Sequence, residues 1–302
     1  MTPAAERILA RDPRALARAA TWIENRHPEA EALLKELFPY TGRALVIGVT
    51  GPPGAGKSTL CDQFACKIRA EGKTVAIVAV DPSSPFSGGA ILGDRVRMLR
   101  HHADPGVFIR SLATRGWLGG LARAAAEVTM LMDAAGFDVA LVETVGAGQD
   151  EIDIARLAGV TLVALAPGMG DDIQAIKAGM MEIADVFIIN KSDLPGAAKL
   201  ERELKASVGL AHRPDGWAPK IVGTIASQGE GISEALAAAR EYSQRGADPS
   251  RQAGIWSARL REMLRDRLLD RIPPEEFTGL GREVAERRRD PYSIVHDLLA
   301  KY

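Results

Sequence analysis

Gly51-Pro52-Pro53-Gly54-Ala55-Gly56-Lys57-Ser58, directly after the apolar run Ala44-Leu45-Val46-Ile47-Gly48-Val49, decides the fold. A strand-like run followed by G-x-x-x-x-G-K-S is the pattern of a phosphate-binding loop. Small residues let backbone N–H groups turn inward around a polyphosphate, Lys57 supplies a point charge near the outer phosphates, and the Ser58 hydroxyl can ligate Mg²⁺. A helix expected over residues 59–70 adds the positive end of its dipole. The stretch therefore implies a nucleoside triphosphate ligand. Gly54, Ala55, Gly56, Lys57, Ser58 and Thr59 are its phosphate-binding candidates.

Outward from this loop, short β-rich runs alternate with helical ones, at residues 44–49, 74–80, 107–110, 138–142, 161–166, 186–189 and 220–224. Such alternation predicts an α/β fold, a doubly wound and mainly parallel sheet with helices on both faces. The continuous apolar runs at 141–142, 162–165 and 187–189 are expected at its centre, where strands are buried on both faces. Before the sheet, apolar residues at helical spacing from Ile8 to Leu37 predict two or three helices punctuated by Pro13 and Pro28. After Gly246 the chain is arginine-rich and again helical, with a break at Pro273-Pro274. Arg287-Arg288-Arg289 reads as a solvated helix face. The expected organisation is an N-terminal helical extension (1–42), a P-loop domain (43–245) and a C-terminal helical arm (246–302).

The 302 residues carry 38 basic against 39 acidic side chains, for a formal net charge of −1. That balance provides no electrostatic footprint for a nucleic acid or an anionic membrane. The only two cysteines, Cys61 and Cys66, fall in the helix expected after the phosphate loop, which excludes a disulfide framework and suits a reducing cytoplasm. The first twenty residues lack the apolar stretch of a signal peptide, and no long uncharged apolar run predicts a membrane span.

Asn190-Lys191-Ser192-Asp193 follows the run at 186–189, at the carboxyl end of a strand, where open α/β sheets bind ligands. A carboxylate at Asp193 can accept two parallel hydrogen bonds from the N1–H and 2-amino group of guanine, whereas adenine presents neither donor there. GTP over ATP follows, with Asn190, Lys191 and Asp193 in the base pocket. Thr224-Ile225-Ala226-Ser227 ends the last run, and the Ala226 amide is expected to reach guanine O6. Asp81 and Glu143 each end a strand-like run on the side of the phosphate loop, where Mg²⁺ needs oxygen ligands beside Ser58.

The glycine-rich stretch 86–98 is expected to act as a switch that orders around a γ-phosphate. A second candidate spans 113–120, where Trp117 either forms a contact surface or packs inward, and a third spans 168–177. Gly146 is followed by Ala147 rather than by a water-orienting glutamine, with Gln149 farther on, so hydrolysis by the chain alone should be slow, at about 10⁻³ s⁻¹ or below. Arg95, Arg97, Arg110 and Arg115 are all candidates for stabilising the transition-state charge, or for ion pairs.

Taken in order, Gly51–Ser58, Asp81-Pro82-Ser83-Ser84-Pro85, Gly93-Asp94-Arg95-Val96-Arg97-Met98, Glu143-Thr144-Val145-Gly146, Asp172–Lys177 and Asn190–Asp193 resemble the MeaB/ArgK-type GTPases. These are G-protein chaperones of cobalamin-dependent acyl-CoA mutases such as methylmalonyl-CoA mutase, and the resemblance extends over nearly the whole chain. It implies a SIMIBI-class fold, a homodimer built partly through the C-terminal arm, and Mg²⁺ held through Ser58, Asp81, Asp94 and Glu143. It places Lys57, Asp94 and Glu143 in GTP hydrolysis; Asp94 enters by the resemblance alone. The implied function is gating of adenosylcobalamin delivery to the mutase and protection of it, with an adenosyltransferase as a further partner. Ala147, Asp150 and Ile225 depart from the valine, serine and serine commoner in the family.

Two other functions use similar parts. A nickel-insertion GTPase for hydrogenase or urease would need metal ligands, for which His101-His102, Cys61 and Cys66 are the candidates; buried cysteines and surface histidines are the expectation here. A P-loop kinase would need no guanine selection, which Asn190–Asp193 argues against.

Overall fold

The computed structural model describes residues 1–81, 98–113, 120–144, 154–168, 179–210, 213, 215–245 and 249–302. Seven strands form one sheet: β1 (Leu45–Thr50), β2 (Val75–Asp81), β3 (Val107–Ala113), β4 (Val139–Glu143), β5 (Val160–Leu165), β6 (Val186–Asn190) and β7 (Lys220–Thr224). Their order is β3-β2-β4-β1-β5-β6-β7, and every pairing is parallel. Strand β1 lies at the middle, where the chain first winds toward one edge and then toward the other. The carboxyl end of such a switch point is the ligand crevice of open α/β sheets.

Strands β4, β5 and β6 are buried along their whole length, as continuous apolar runs require. Strand β6, expected centrally, lies next to the edge strand β7 instead. Its burial comes from its two faces: Val186 and Ile188 join one core cluster, Phe187 and Ile189 another. On the first face, Leu60, Phe64 and Ile68 of α4 (Lys57–Ala70) lie over β1, β2 and β4, and α7 (Ile232–Gln244) brings Leu236 and Ala239 to the same core over β5, β6 and β7. On the other face, α5 (Gly120–Ala134) packs over β2 and β4, and α6 (Ala197–Leu210) covers β6 and β7, with Leu200 and Leu204 in the core that Phe187, Ile189 and Ile221 share.

The N-terminal helices α1 (Pro3–Leu9), α2 (Pro13–Glu24) and α3 (Pro28–Leu37) share the core of α5, through Ile8, Leu16, Ile23, Leu33 and Leu37. Their prolines start the helices rather than merely separating them. Each occupies the first helical position, where no backbone N–H is needed. The preceding residue caps each helix: Thr2 accepts from Ala5 N, Asp12 from Arg14 N and Ala15 N, and His27 Nδ1 from Glu29 N.

Entry into β1 is fixed by one carboxylate. Asp133, buried on α5, accepts from Gly42 N at 2.5 Å, Arg43 N at 3.0 Å and Ala44 N at 2.8 Å. Asp133→Ala leaves three amides to find other partners, and should lower unfolding stability by about 3 kcal/mol. Urea titration checks this; a midpoint equal to that of the parent chain would contradict the anchoring role.

The chain divides into two compact units, Met1–Asp248 and Pro249–Tyr302. The second consists of α8 (Pro249–Leu269), α9 (Pro274–Ala285) and α10 (Pro291–Lys301). Within it, Glu276 accepts from Lys301 Nζ and Tyr302 Oη, both at 2.8 Å, and Asp290 caps α10. Trp256, Leu260, Met263 and Leu264 recur at helical spacing on α8 and are exposed. The three arginines 287–289, expected on a helix face, follow the end of α9 and lie in the turn before α10. There Arg288 pairs with Glu286, and Arg289 with Glu283 and Asp297. Among the described residues no helix is long and apolar enough to cross a membrane.

Candidate nucleotide-binding site

The phosphate loop joins β1 to α4, and α4 begins at Lys57, two residues before its expected start. Gly56 precedes it with φ +88°, and a Cβ there would lie 2.4 Å from Asn190 Nδ2. The position thus demands glycine for both its backbone angle and its space. Protein donors hold four carbonyls of the loop. Lys57 Nζ, buried, donates to Gly51 O at 2.8 Å and Pro52 O at 3.1 Å. Lys191 Nζ donates to Gly54 O at 2.9 Å, and Asn190 Nδ2 to Ala55 O at 2.8 Å. Carbonyls turned onto protein donors, at the start of a helix, are what an anion-binding concavity of backbone N–H groups requires.

Glu143 ends β4 beside Val49 of β1, which brings its carboxylate to the first turn of α4. Ser58 Oγ donates to Glu143 Oε1 at 2.6 Å, and both residues are buried. Behind them Thr50 Oγ1 and Thr144 Oγ1 share a hydrogen bond of 2.9 Å, and Thr144 N donates to Val49 O at 3.2 Å. A hydroxyl and a carboxylate in contact beside a phosphate loop form a hard-oxygen donor set that fits Mg²⁺. The Asp81 backbone ends β2 at the same edge of the sheet, two residues beyond Ala79, the partner of Glu143. Asp94 lies outside the described residues, as do Arg95, Arg97, Arg115, Trp117, Ala147, Gln149 and Asp150. All of 86–97, and nearly all of the stretches 113–120 and 168–177, lie outside them too.

Asn190, at the end of β6, is a three-way bridge. Besides holding Ala55 O, it accepts at Oδ1 from Thr224 Oγ1 at 3.1 Å and from Ala226 N at 3.1 Å. The next residue, Lys191, adopts φ +56°, and Ser192 N donates to Thr224 O at 3.0 Å. Asp193 follows with an exposed side chain. The phosphate loop, the Asn190–Asp193 turn and the 224–226 turn are thereby tied together. The Ala226 amide, expected from sequence at guanine O6, is directed at Asn190 Oδ1. Thr224 was not among the candidates from sequence; only its place at a strand end hinted at the role.

The remaining candidates are placed as follows. Arg110 is an ion-pair residue: it bonds Glu24 and donates to Thr21 Oγ1 at 3.2 Å, fastening β3 to α2. His101, expected on the surface, is buried: its Nε2 lies 2.9 Å from Asp62 Oδ1 and 3.9 Å from Cys66 Sγ, while Arg100 binds the same carboxylate through Nε at 2.8 Å. His102 is exposed, Cys61 is buried, and burial pushes the Cys66 thiol above its ordinary pKa.

Residues 16–276 match the family model described as methylmalonyl Co-A mutase-associated GTPase MeaB. A Pyrococcus abyssi protein placed by its name among GTPases is 44% identical over 313 aligned positions, covering 97% of this chain and 94% of its own. The GTPase ArgK of Escherichia coli is 42% identical over 227 positions, covering 72% of this chain and 69% of its own. A crystal structure titled as a LAO/AO transport system kinase superposes with a TM-score of 0.73 at 29% identity, over 98% of this chain and 95% of that one. With a seven-stranded parallel sheet, a phosphate loop at its switch point and these relatives, the chain belongs to the MeaB family of P-loop GTPases, of the SIMIBI class.

Proposed function

We propose that this GTPase gates the delivery of adenosylcobalamin to a cobalamin-dependent acyl-CoA mutase and protects the mutase from inactivation, with its nucleotide state as the signal. The observation that supports this reading most is the match of 16–276 to a family described by its association with methylmalonyl-CoA mutase. The site supplies the matching chemistry. Gly54 to Thr59 cradle the phosphates, and Lys57 turns from the loop carbonyls to the β- and γ-phosphate oxygens. Asp193 accepts from the guanine N1–H and 2-amino group, while Lys191 and Asn190 hold the base pocket to the phosphate loop. The Ala226 amide turns from Asn190 toward O6.

Ser58 and Glu143, with Asp81 and Asp94, would hold Mg²⁺. Bound there, the ion neutralises charge that builds on the phosphate oxygens. Lys57 would act in the same sense with its own charge, and Asp94 and Glu143 would orient the attacking water. Without a glutamine after Gly146, hydrolysis is slow until the mutase completes the site. A cytoplasmic homodimer formed partly through the C-terminal arm, with an adenosyltransferase as a second partner, belongs to the same reading. The exposed apolar face of α8 is the surface on offer for dimerisation.

The protective role is tested by following mutase activity during prolonged turnover with this chain present. With GTP the mutase should retain activity longer than with GDP or without the chain. Identical inactivation in all three conditions would sink the proposal.

A further inference from the structure

Gly231 packs its backbone directly against the end of β7. Its φ is +73°, and a Cβ there would lie 2.1 Å from Gly223 O, 3.1 Å from Gly223 C and 3.0 Å from Thr224 Cγ2. The first two obstacles are backbone atoms, so no change of rotamer relieves the overlap. The same strand end holds the guanine-side turns. Thr224 O accepts from Ser192 N at 3.0 Å, and Thr224 Oγ1 donates to Asn190 Oδ1 at 3.1 Å. The turn that follows is closed on itself by Ile225 N to Glu230 O at 3.1 Å and Glu230 N to Ile225 O at 3.3 Å. Gly231 is therefore the point at which a closed loop bearing Ala226 returns to β7, the strand whose end is hydrogen-bonded to the Asp193 turn.

We propose that Gly231 is a specificity-positioning residue: its missing side chain sets the spacing between the Asp193 turn and the Ala226 loop, and so the selection of guanine. The inference rests on the assignment of those two turns to the base. A side chain at 231 must displace residues 223–224 or push the 225–230 loop outward. Either movement changes the separation of the carboxylate and the amide that face one base. Lys57 bonds Gly51 O and Pro52 O from within the phosphate loop, without passing through residues 223–231, so phosphate binding should survive.

Calorimetric titration of the whole chain with Mg²⁺ and GDP, ADP or inorganic tripolyphosphate tests this. Gly231→Ala should weaken GDP by about tenfold or more and tripolyphosphate by no more than about twofold. Gly229→Ala is the control for backbone strain, because its φ is +75° while its Cβ would meet only Gln63 Oε1, at an ordinary 3.5 Å. It should cost GDP no more than about threefold. A single glycine inserted after Glu230 loosens the same closure without any overlap, and should reproduce the selective loss of GDP; it decides the matter if Gly231→Ala does not fold. An unchanged ratio of GDP to tripolyphosphate affinity in Gly231→Ala and in the insertion would overturn the proposal, as would equal losses in the two alanine variants. Failure of the underlying assignment is distinct: the parent chain would then bind ADP as well as GDP.

Discussion

Asp193→Asn should turn the base pocket from guanine to xanthine. The carboxylate is placed to accept from two adjacent donors, N1–H and the 2-amino group, and a site built this way rejects a mismatched analogue by large factors. An amide presents a donor NH₂ where guanine also presents one. Xanthine carries a 2-oxo group in that place and can accept from it. GDP affinity should fall by about 10³-fold or more, and xanthosine diphosphate should become the tighter ligand. Because Asp193 is exposed, the substitution should change folding stability by no more than about 0.5 kcal/mol, which separates a loss of recognition from a loss of fold. Competition of both diphosphates against a fluorescent nucleotide reads the result. Retained preference for GDP would remove Asp193 from the base pocket.

Asn190→Ala should damage both fold and binding, with the largest combined effect of any single change at the site. The side chain is buried and serves three partners: Ala55 O, Thr224 Oγ1 and Ala226 N. Each buried polar group left without a partner costs about 1–3 kcal/mol, so a total of roughly 3–5 kcal/mol of stability is expected. GDP and tripolyphosphate should both bind more weakly, because the phosphate loop and the base turns lose their common bridge. Asn190→Asp keeps the acceptor for Thr224 and Ala226 but sets a carboxylate oxygen against Ala55 O, so its defect should fall mainly on phosphate binding. Urea titration and calorimetry check the two parts; loss of GDP affinity with tripolyphosphate binding intact in Asn190→Ala would contradict the bridging role.

The seven strands were legible because most are buried on both faces and read as continuous apolar runs. Strand β3 extends to Ala113, beyond the run at 107–110, because Arg110 and Ser111 interrupt the apolar pattern while pairing in full register with β2. A polar residue enters that strand because Glu24, 86 positions away, receives its charge. The phosphate loop and the Asn190–Asp193 turn declare themselves locally, since backbone cradles and base recognition need fixed residue types at short spacing. What joins them does not. Asn190 meets Ala55 across 135 positions and His101 meets Asp62 across 39, and only the order of strands and helices brings such pairs together. The burial of His101, against the surface position expected of it, has the same origin.

The most direct measurement is the rate of GTP hydrolysis by the purified chain, alone and with increasing amounts of a cobalamin-dependent acyl-CoA mutase, with ATP as the control nucleotide. The account predicts a slow, GTP-selective rate that rises with mutase concentration, by as much as about 10³-fold if the partner completes the catalytic site. A GTP rate that no mutase concentration alters would contradict it.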